Sequence, residues 1–377
     1  MKLLIHDLTG NKQKELEQKY EGWTIISDNG TIRPCPGCFS CWTKTPGRCA
    51  VHDGYETMGY LLHHAEKIQI ISRLTYGGFS PFVKNVFDRS LAYVLPFFEV
   101  TGRETHHQKR YDDDKAFSFL FYGSDLSQEE KTAAVKYVQA ACRNLRGHIG
   151  SVQFAECPEE KKTVNERIPA GTGKTVFLNG SVRGKNANSY AFGRQLMSFM
   201  TEESGFCHIS TYLNDLSALV ETCADADTLV FCVPLFVDGL PSQVLRFQRA
   251  FEKEYAGPAK NVYVLANMGL YETEQLNNLN EMMRLWCRTM DFSLKGCLSI
   301  GAGELLRVLM DTEPFCRDLK ETMKRFARAV ESGEKTETLT AGPSFFPRSL
   351  YIAVANVSFC LTAKRNKLHI RDLYERL

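Results

Sequence analysis

The residues best suited to bind a ligand lie between positions 175 and 189, which read TVFLNGSVRGKNANS. A run of β-branched and aliphatic residues predicts a buried strand, and the residues that follow it are small, polar or basic. Gly180 lets the backbone turn tightly and approach an anion, and Arg183 can add a charge-assisted hydrogen bond. The segment therefore predicts a site for a phosphate-bearing ligand, with a nucleotide or a flavin as the first candidates.

Four uncharged polar residues complete this loop: Ser181, Asn186, Asn188 and Ser189. We expect them to donate hydrogen bonds to the ligand and to supply the N-cap of a helix that starts at about residue 187. Such a helix directs its terminal N–H groups and the positive end of its dipole at the loop. The segment contains neither G-x-G-x-x-G nor G-x-x-x-x-G-K-[ST], so an ordinary strand-to-helix turn stays open as an alternative.

Two further strands are predicted to end close to this loop. Residues 228–234 (TLVFCVP) run into LFVDGLPSQV, and residues 261–267 (NVYVLAN) run into MGLYET. Short apolar runs that are followed by glycine-bearing loops and helical segments are typical of a parallel sheet. Ligands of such sheets bind outside the carboxyl ends of the strands, so we expect three loops to converge on one site.

These three loops resemble those of the flavodoxin-like NAD(P)H-dependent FMN reductases. That family usually reads G-S-x-R, P-x-Y and a glycine-bearing third loop, where this chain reads GSVRGKNANS, PLFVDGLPS and ANMG. Val182 stands where the family often has proline, and Phe236 where it often has tyrosine, but neither departure removes a needed charge. By the resemblance, the first loop holds the FMN phosphate and two other segments flank the isoalloxazine ring. These segments are Pro234, Leu235, Phe236, Val237 and Asp238, followed by Asn267, Met268 and Gly269.

Four cysteines lie close together in RPCPGCFSCWTKTPGRCAVHD, at Cys35, Cys38, Cys41 and Cys49. The spacing C-x2-C-x2-C-x7-C lets three thiolates face one centre, and it suits a [4Fe–4S] cluster better than zinc. The stretch resembles the compact cysteine loop of iron–sulfur flavoproteins, which follows the second strand of a flavodoxin-like domain. It is also similar to loops of flavodoxin-like proteins without an established cluster. Two interpretations stay open: a cluster site, and a metal-free loop that covers the flavin.

An internal similarity indicates two related domains. Residues 65–84 (AEKIQIISRLTYGGFSPFVK) align without gaps on residues 226–245 (ADTLVFCVPLFVDGLPSQVL), and 377 residues are too many for one flavodoxin-like unit. We therefore predict an α/β fold of two tandem flavodoxin-like, doubly wound parallel-sheet domains with a C-terminal helical extension. The predicted boundaries are 1–156 for a domain with the cysteine loop, 157–173 for a linker, 174–310 for the FMN-binding domain and 311–377 for the extension.

The two predicted domains differ in what they can bind. The first opens on HDLTGNKQKEL, which lacks G-S-x-R, and it carries Arg73 where the family resemblance would place proline. We therefore expect one FMN per chain, bound by the second domain. The chain then resembles a pseudo-dimer within one polypeptide, and a homodimer of such chains stays open.

Composition excludes several classes of function. The formal net charge is +2 at pH 7, which is not the basic surplus of a nucleic-acid-binding protein. No apolar run reaches the length of a transmembrane helix, and the first residues do not follow the order of a signal peptide. We therefore expect a cytoplasmic protein with neither a nucleic-acid nor a membrane partner.

The resemblance implies a flavoenzyme that passes electrons from NAD(P)H through FMN to a small-molecule or protein acceptor. The acceptor classes are a quinone, a nitro or azo compound, a free flavin or a metal centre. Because the cofactor carries this chemistry, no catalytic triad is expected. The alternative is a flavodoxin-like or iron–sulfur flavoprotein electron carrier without a small-molecule substrate of its own. The near-neutral charge argues against the acidic docking face of such a carrier, so we favour the enzyme.

Overall fold

The structure is a computed structural model, and it describes residues 1–157, 173–201 and 204–376. The described residues form two compact units, one from residues within 1–160 and 349–377 and one from residues within 161–348. Residues 158–172 of the predicted linker lie outside the described residues.

The first unit is built on a five-stranded parallel sheet. Its strands are β1 (Lys2–His6), β2 (Thr24–Ser27), β3 (Lys67–Arg73), β6 (Ala116–Gly123) and β7 (His148–Glu156), and a separate antiparallel hairpin is formed by β4 (Val94–Thr101) and β5 (Glu104–Lys109). The order in the sheet is β2-β1-β3-β6-β7, with all neighbours parallel. This is the 2-1-3-4-5 order of flavodoxin, and its switch point lies at β1 and β3.

Helices cover the sheet of the first unit. They are α1 (Gly10–Lys19), α2 (Ser40–Thr43), α3 (Met58–His64), α4 (Pro81–Asp88) and α5 (Gln128–Asn144). The start of α5 follows from its sequence, because Ser127 and Glu130 form a reciprocal capping box. The period of two in β6 buries Phe117, Phe119 and Phe121 on one face, as expected for a strand that packs its apolar side chains inward.

The second unit is built on a six-stranded parallel sheet. Its strands are β8 (Thr175–Asn179), β9 (Gly205–His208), β10 (Thr228–Pro234), β11 (Asn261–Asn267), β12 (Ser293–Ile300) and β13 (Leu339–Ala341). Its helices are α6 (Asn188–Met197), α7 (Leu216–Ala224), α8 (Ser242–Glu254), α9 (Asn277–Thr289), α10 (Gly303–Val308) and α11 (Arg317–Ser332). The strand order is β9-β8-β10-β11-β12-β13, which is the flavodoxin order with a sixth strand added. Nearly all residues of β8, β10 and β11 are buried, because helices cover both faces.

These strand orders confirm the predicted fold class of two flavodoxin-like α/β units. The gap-free alignment of 65–84 on 226–245 agrees with the structure, because it matches every residue of β3 with one of β10. After these strands, a tight turn closes between Thr75 and Gly78 in the first unit and between Phe236 and Gly239 in the second. Whether the likeness arose by duplication stays a prediction.

The C-terminal region is helical, as predicted, but the structure divides it between the two units instead of forming a separate extension over 311–377. Residues 311–348 belong to the second unit, where α11 packs on the core and β13 pairs with β12. Most of α12 (Arg348–Arg365) belongs to the first unit. There, the side chain of Asn356 bonds both backbone groups of Phe98 on β4, at 2.7 Å from Phe98 N and 3.1 Å from Phe98 O. The two units thus divide between residues 348 and 349, with α11 in the core of the second unit and α12 packed beside β4 in the first.

Among the helices of the described residues, none combines the length and the apolar character that crossing a bilayer requires.

Candidate functional site

The three predicted loops start at one edge of the second sheet. In the register of the strands, Asn179 at the end of β8 lies beside Cys232 of β10, and Pro234 at the end of β10 lies beside Asn267 of β11. The structure therefore brings the carboxyl ends of these three strands together, which is where ligands bind in open α/β sheets.

Backbone hydrogen bonds tie the three loops to one another. Gly180 N donates to Cys232 O at 2.9 Å, and Leu235 N donates to Asn267 O at 2.8 Å. The Asn267 side chain is buried and donates from Nδ2 to Val233 O at 3.1 Å. Asn267 thus holds the second and third loops in register, so its side chain is engaged within the protein.

Asn179, which was not predicted as a site residue, organises the first loop. Its Oδ1 accepts hydrogen bonds from Ser181 N and from Ser189 Oγ, each at 3.1 Å. Its Nδ2 donates to Gly184 O at 3.0 Å and lies 2.9 Å from His208 Nδ1. A polar residue at the end of an apolar strand was the signal that could have identified it. Because Asn179 is fully buried, these bonds hold the loop against the end of β8.

The predicted helix cap requires a correction. The N-cap residue of α6 is Ala187, which has no side-chain oxygen, and α6 carries no acidic residue in its first turn. Ser189 is buried and bonded to Asn179, while Asn188 Oδ1 accepts from Arg307 Nη1 at 2.9 Å. These side chains therefore hold the loop rather than cap the helix. The first N–H groups of α6 have no side-chain cap, and such an end is suited to an anion.

The remaining residues of the first loop divide into buried and exposed ones. Ser181 is buried, and its Oγ accepts from Arg183 N at 3.3 Å. The side chains of Arg183, Lys185 and Asn186 are exposed. Two cationic side chains therefore stand in the loop that precedes the uncapped end of α6.

The second loop is a strained two-residue turn. Phe236 and Gly239 exchange backbone hydrogen bonds of 3.1 and 3.0 Å, and between them Val237 and Asp238 have φ values of 37° and 60°. A β-branched residue in this left-handed region costs energy, and such strain collects at ligand-binding sites. Phe236 and Val237 are half-buried, so the turn presents partly exposed apolar side chains.

The third loop rests on the turn after β12. Met268 is buried; its N–H donates to Ile300 O at 3.1 Å, and its carbonyl accepts from Gly303 N at 2.7 Å. At Gly269, an added Cβ would meet no atom within 4 Å. Packing within the unit therefore does not require glycine there, and the loop is open on the side where a side chain would project.

Two cavities lie elsewhere. One of about 500 Å³ in the second unit is lined by residues around the start of β12, including Arg288, Leu294 and Lys295, at the opposite end of the sheet from the three loops. Another, of about 380 Å³, lies in the first unit at the carboxyl ends of β1 and β3. We call it the switch-point cleft, and its polar lining consists of Asp7, Thr9, Lys12, Asp28, Arg73, Ser80 and Tyr122.

The cysteine loop does not form the predicted metal site. Among the residues that the structure describes, no group of three or more His, Cys, Asp or Glu side chains is arranged to hold a metal ion. Cys38 is exposed, while Cys35 and Cys49 are buried and Cys49 Sγ accepts from Arg89 Nε at 3.2 Å. Burial raises the pKa of Cys35 to about 12, and burial followed by the nearby thiols raises that of Cys41. This arrangement of the described residues gives no support to the predicted [4Fe–4S] cluster.

Packing and one buried ion pair hold the cysteine loop. Trp42 is buried and donates from Nε1 to Leu91 O and Val94 O, each at 3.0 Å. Arg89 donates to both carboxylate oxygens of Asp53, at 2.7 and 2.9 Å. The loop is thus built as a structural element of the first unit.

Comparisons with known proteins give partial likenesses of fold. No protein-family model and no curated protein sequence matches this chain. A structure of the Trp repressor binding protein from Bacillus subtilis is 16% identical with a TM-score of 0.32, and covers 42% of this chain and 97% of its own. An apo NADH:FMN oxidoreductase (EMOB) is 13% identical with a TM-score of 0.34, and covers 44% and 91%. The NAD(P)H:quinone oxidoreductase from Methanothermobacter marburgensis is 15% identical with a TM-score of 0.31, and covers 43% and 96%. The fold assignment rests on the strand orders, and these likenesses do not bear on the activity.

Proposed function

We propose that the second unit binds FMN at its three loops and that the chain is an NAD(P)H-dependent oxidoreductase. The observation that carries the proposal is the uncapped N-terminus of α6, which directly follows a loop with exposed Arg183 and Lys185. Backbone N–H groups and two cations favour a dianionic phosphate, and the first turn of α6 carries no acidic residue, although Arg183 also interacts with Glu304 of α10.

The other two loops suit the ring system of a flavin. Phe236 and Val237 supply half-buried apolar surface, and Gly269 leaves the third loop open where a side chain would stand. Bonds between the loops fix these groups before a ligand arrives, which lowers the entropy lost on binding.

When bound, FMN supplies hydride acceptance and electron transfer. The residues of this chain then have three tasks, namely to hold the phosphate, to position the ring and to limit its exposure to water. The acceptor belongs to the class of quinones, nitro or azo compounds, free flavins, metal centres or redox proteins. No iron–sulfur cluster forms part of the proposal.

The test combines binding with reduction. The double variant Ser181→Asp with Arg183→Glu places negative charge at the phosphate position, and the matched variant Ser332→Asp with Arg328→Glu makes the same change on α11. We expect wild type and the α11 variant to bind FMN, and to lose absorbance at about 450 nm when NADH or NADPH is added without oxygen. The loop variant should bind no FMN.

Two outcomes would contradict parts of this proposal. If the loop variant bound FMN as tightly as wild type, the site would be misplaced. If FMN bound to wild type and neither nucleotide reduced it, the chain would be an electron carrier and not an NAD(P)H oxidoreductase.

A further inference from the structure

At two matched positions of the sheets, the first unit carries a different type of residue from the second. Leu3 pairs with Ile68 in the first unit, and Val176 pairs with Leu229 in the second; because Ile68 aligns with Leu229, Leu3 matches Val176. Four residues further along the chain, just after each strand, Asp7 therefore occupies the place of Gly180. By the gap-free alignment, Arg73 occupies the place of Pro234.

Gly180 has no room for a side chain. A Cβ there would lie 2.6 Å from Val244 Cγ2 and 2.8 Å from Val233 Cγ1. In the first unit, the place of Val233 is taken by Ser72, a smaller residue whose hydroxyl accepts from Ser80 N at 2.9 Å. This exchange removes one of the two close contacts, while Val83 keeps the place of Val244.

The second replacement supplies a donor that proline lacks. Arg73 N donates to both carboxylate oxygens of Asp7, at 3.2 and 3.0 Å. The Ser80 and Tyr122 hydroxyls also bond to Asp7 and, like the Arg73 N–H, favour its ionised form, although burial has the larger effect and raises the pKa overall. The Arg73 N–H and the two hydroxyl groups, which could bind an anion from solution, are thus hydrogen-bonded to the Asp7 carboxyl group instead.

The switch-point cleft has no excess of positive charge that would attract a phosphate. Its charged residues are Asp7, Asp28, Lys12 and Arg73, so two acids oppose two cations. A phosphate would enter beside Asp7 and compete with it for the same donors. We infer that Asp7 closes the switch-point cleft to phosphate-bearing ligands, so that only the second unit binds flavin. The location of the flavin in this inference rests on the proposed function.

The test starts from the loop variant Ser181→Asp with Arg183→Glu, in which the second unit should bind no FMN. Asp7→Gly is added to restore the residue found at position 180, and Asp7→Asn is added separately to remove the charge at nearly constant volume. Asp28→Asn is the control, because it removes an acid of the same cleft outside the switch-point pair. FMN binding is measured by quenching of flavin fluorescence, with riboflavin as the ligand without phosphate, and circular dichroism checks the fold.

We expect Asp7→Gly to lower the Kd for FMN about tenfold or more, with a smaller gain for Asp7→Asn. Asp28→Asn removes the other acid of the cleft and should gain less than Asp7→Gly, and riboflavin should show no such gain. If both folded Asp7 variants bound FMN no better than their background, or if Asp28→Asn gained as much, the inference would be overturned. Full FMN binding by the background itself would instead overturn the proposed site in the second unit, so the two failures are distinguishable.

Discussion

At the scale of single residues, the candidate site depends on side chains that face the protein and not the ligand. The loop after β8 was predicted from its small and polar residues, and its position at the sheet edge agrees with that prediction. The roles of Ser189 and Asn188 differ from the prediction, since both are bonded within the unit. Sequence spacing places such residues in a loop, but it does not tell whether a hydroxyl turns inward or outward.

Asn179 gives a prediction at this scale. Asn179→Ala leaves Ser181 N, Ser189 Oγ and Gly184 O without their present partner beneath the loop. Since leaving buried polar groups unpaired costs about 1–3 kcal/mol, we expect the Kd for FMN to rise about tenfold or more. Fluorescence titration measures the change, and Asn280→Ala, which removes a single hydrogen bond to Ser299 Oγ, is the control in the same unit. Equal Kd values for Asn179→Ala and wild type would refute the role of Asn179.

At the scale of elements, the cysteine loop shows how a motif can be found while its role stays open. The spacing of the four cysteines allowed a shared metal centre or a metal-free loop. In the structure, the loop is placed by Trp42 and by the contacts of Arg89, which lies forty residues beyond Cys49. The partner of Cys49 therefore comes from the end of a later helix, and no local spacing could indicate it.

The buried ion pair between Arg89 and Asp53 gives a prediction about stability and pH. The exposed fractions of the two side chains are 0% and 4%, so Asp53→Asn leaves a buried guanidinium without its carboxylate. We expect the free energy of unfolding at pH 7 to fall by about 3 kcal/mol. Glu321→Gln, which breaks an exposed pair with Lys324, should leave the free energy of unfolding nearly unchanged.

The pH dependence of this difference follows from the pKa of Asp53. Burial raises this pKa, but the hydrogen bonds from Arg89 and Arg33 lower it below the ordinary 3.8, and the net shift is downward. The carboxylate therefore stabilises the fold above pH 3.8, and this contribution is lost as the pH falls through the lower, folded-state pKa. Urea unfolding at a series of pH values should show the gap between wild type and Asp53→Asn closing below pH 3.8. A gap of constant size from pH 7 to acid would disprove this role of the carboxylate.

At the scale of the whole molecule, the family resemblance of the loops and the internal alignment, together with the short apolar runs, predicted two flavodoxin-like units. The strands that carry the sites are short apolar runs, and the alignment of 65–84 on 226–245 identifies the same strand, turn and helix start in both units. The hairpin of β4 and β5 and the division of the C-terminal region were not predicted. Both depend on contacts between residues far apart in sequence, such as those of Asn356 with Phe98, and local pattern carries no information about them.

The two units share a fold but differ at the switch point, where one presents glycine and proline and the other aspartate and arginine. We therefore expect a chain with two flavodoxin-like sheets to hold a single flavin. A second FMN would mean that the first unit also accepts a phosphate beside Asp7.

Titration of the flavin-free chain with FMN measures this stoichiometry, with binding followed by fluorescence at a protein concentration well above the Kd. We predict saturation at one FMN per chain for wild type and no binding for the variant Ser181→Asp with Arg183→Glu. Saturation at two FMN per chain, or one FMN still bound by that variant, would contradict the assignment of a single flavin to the second unit.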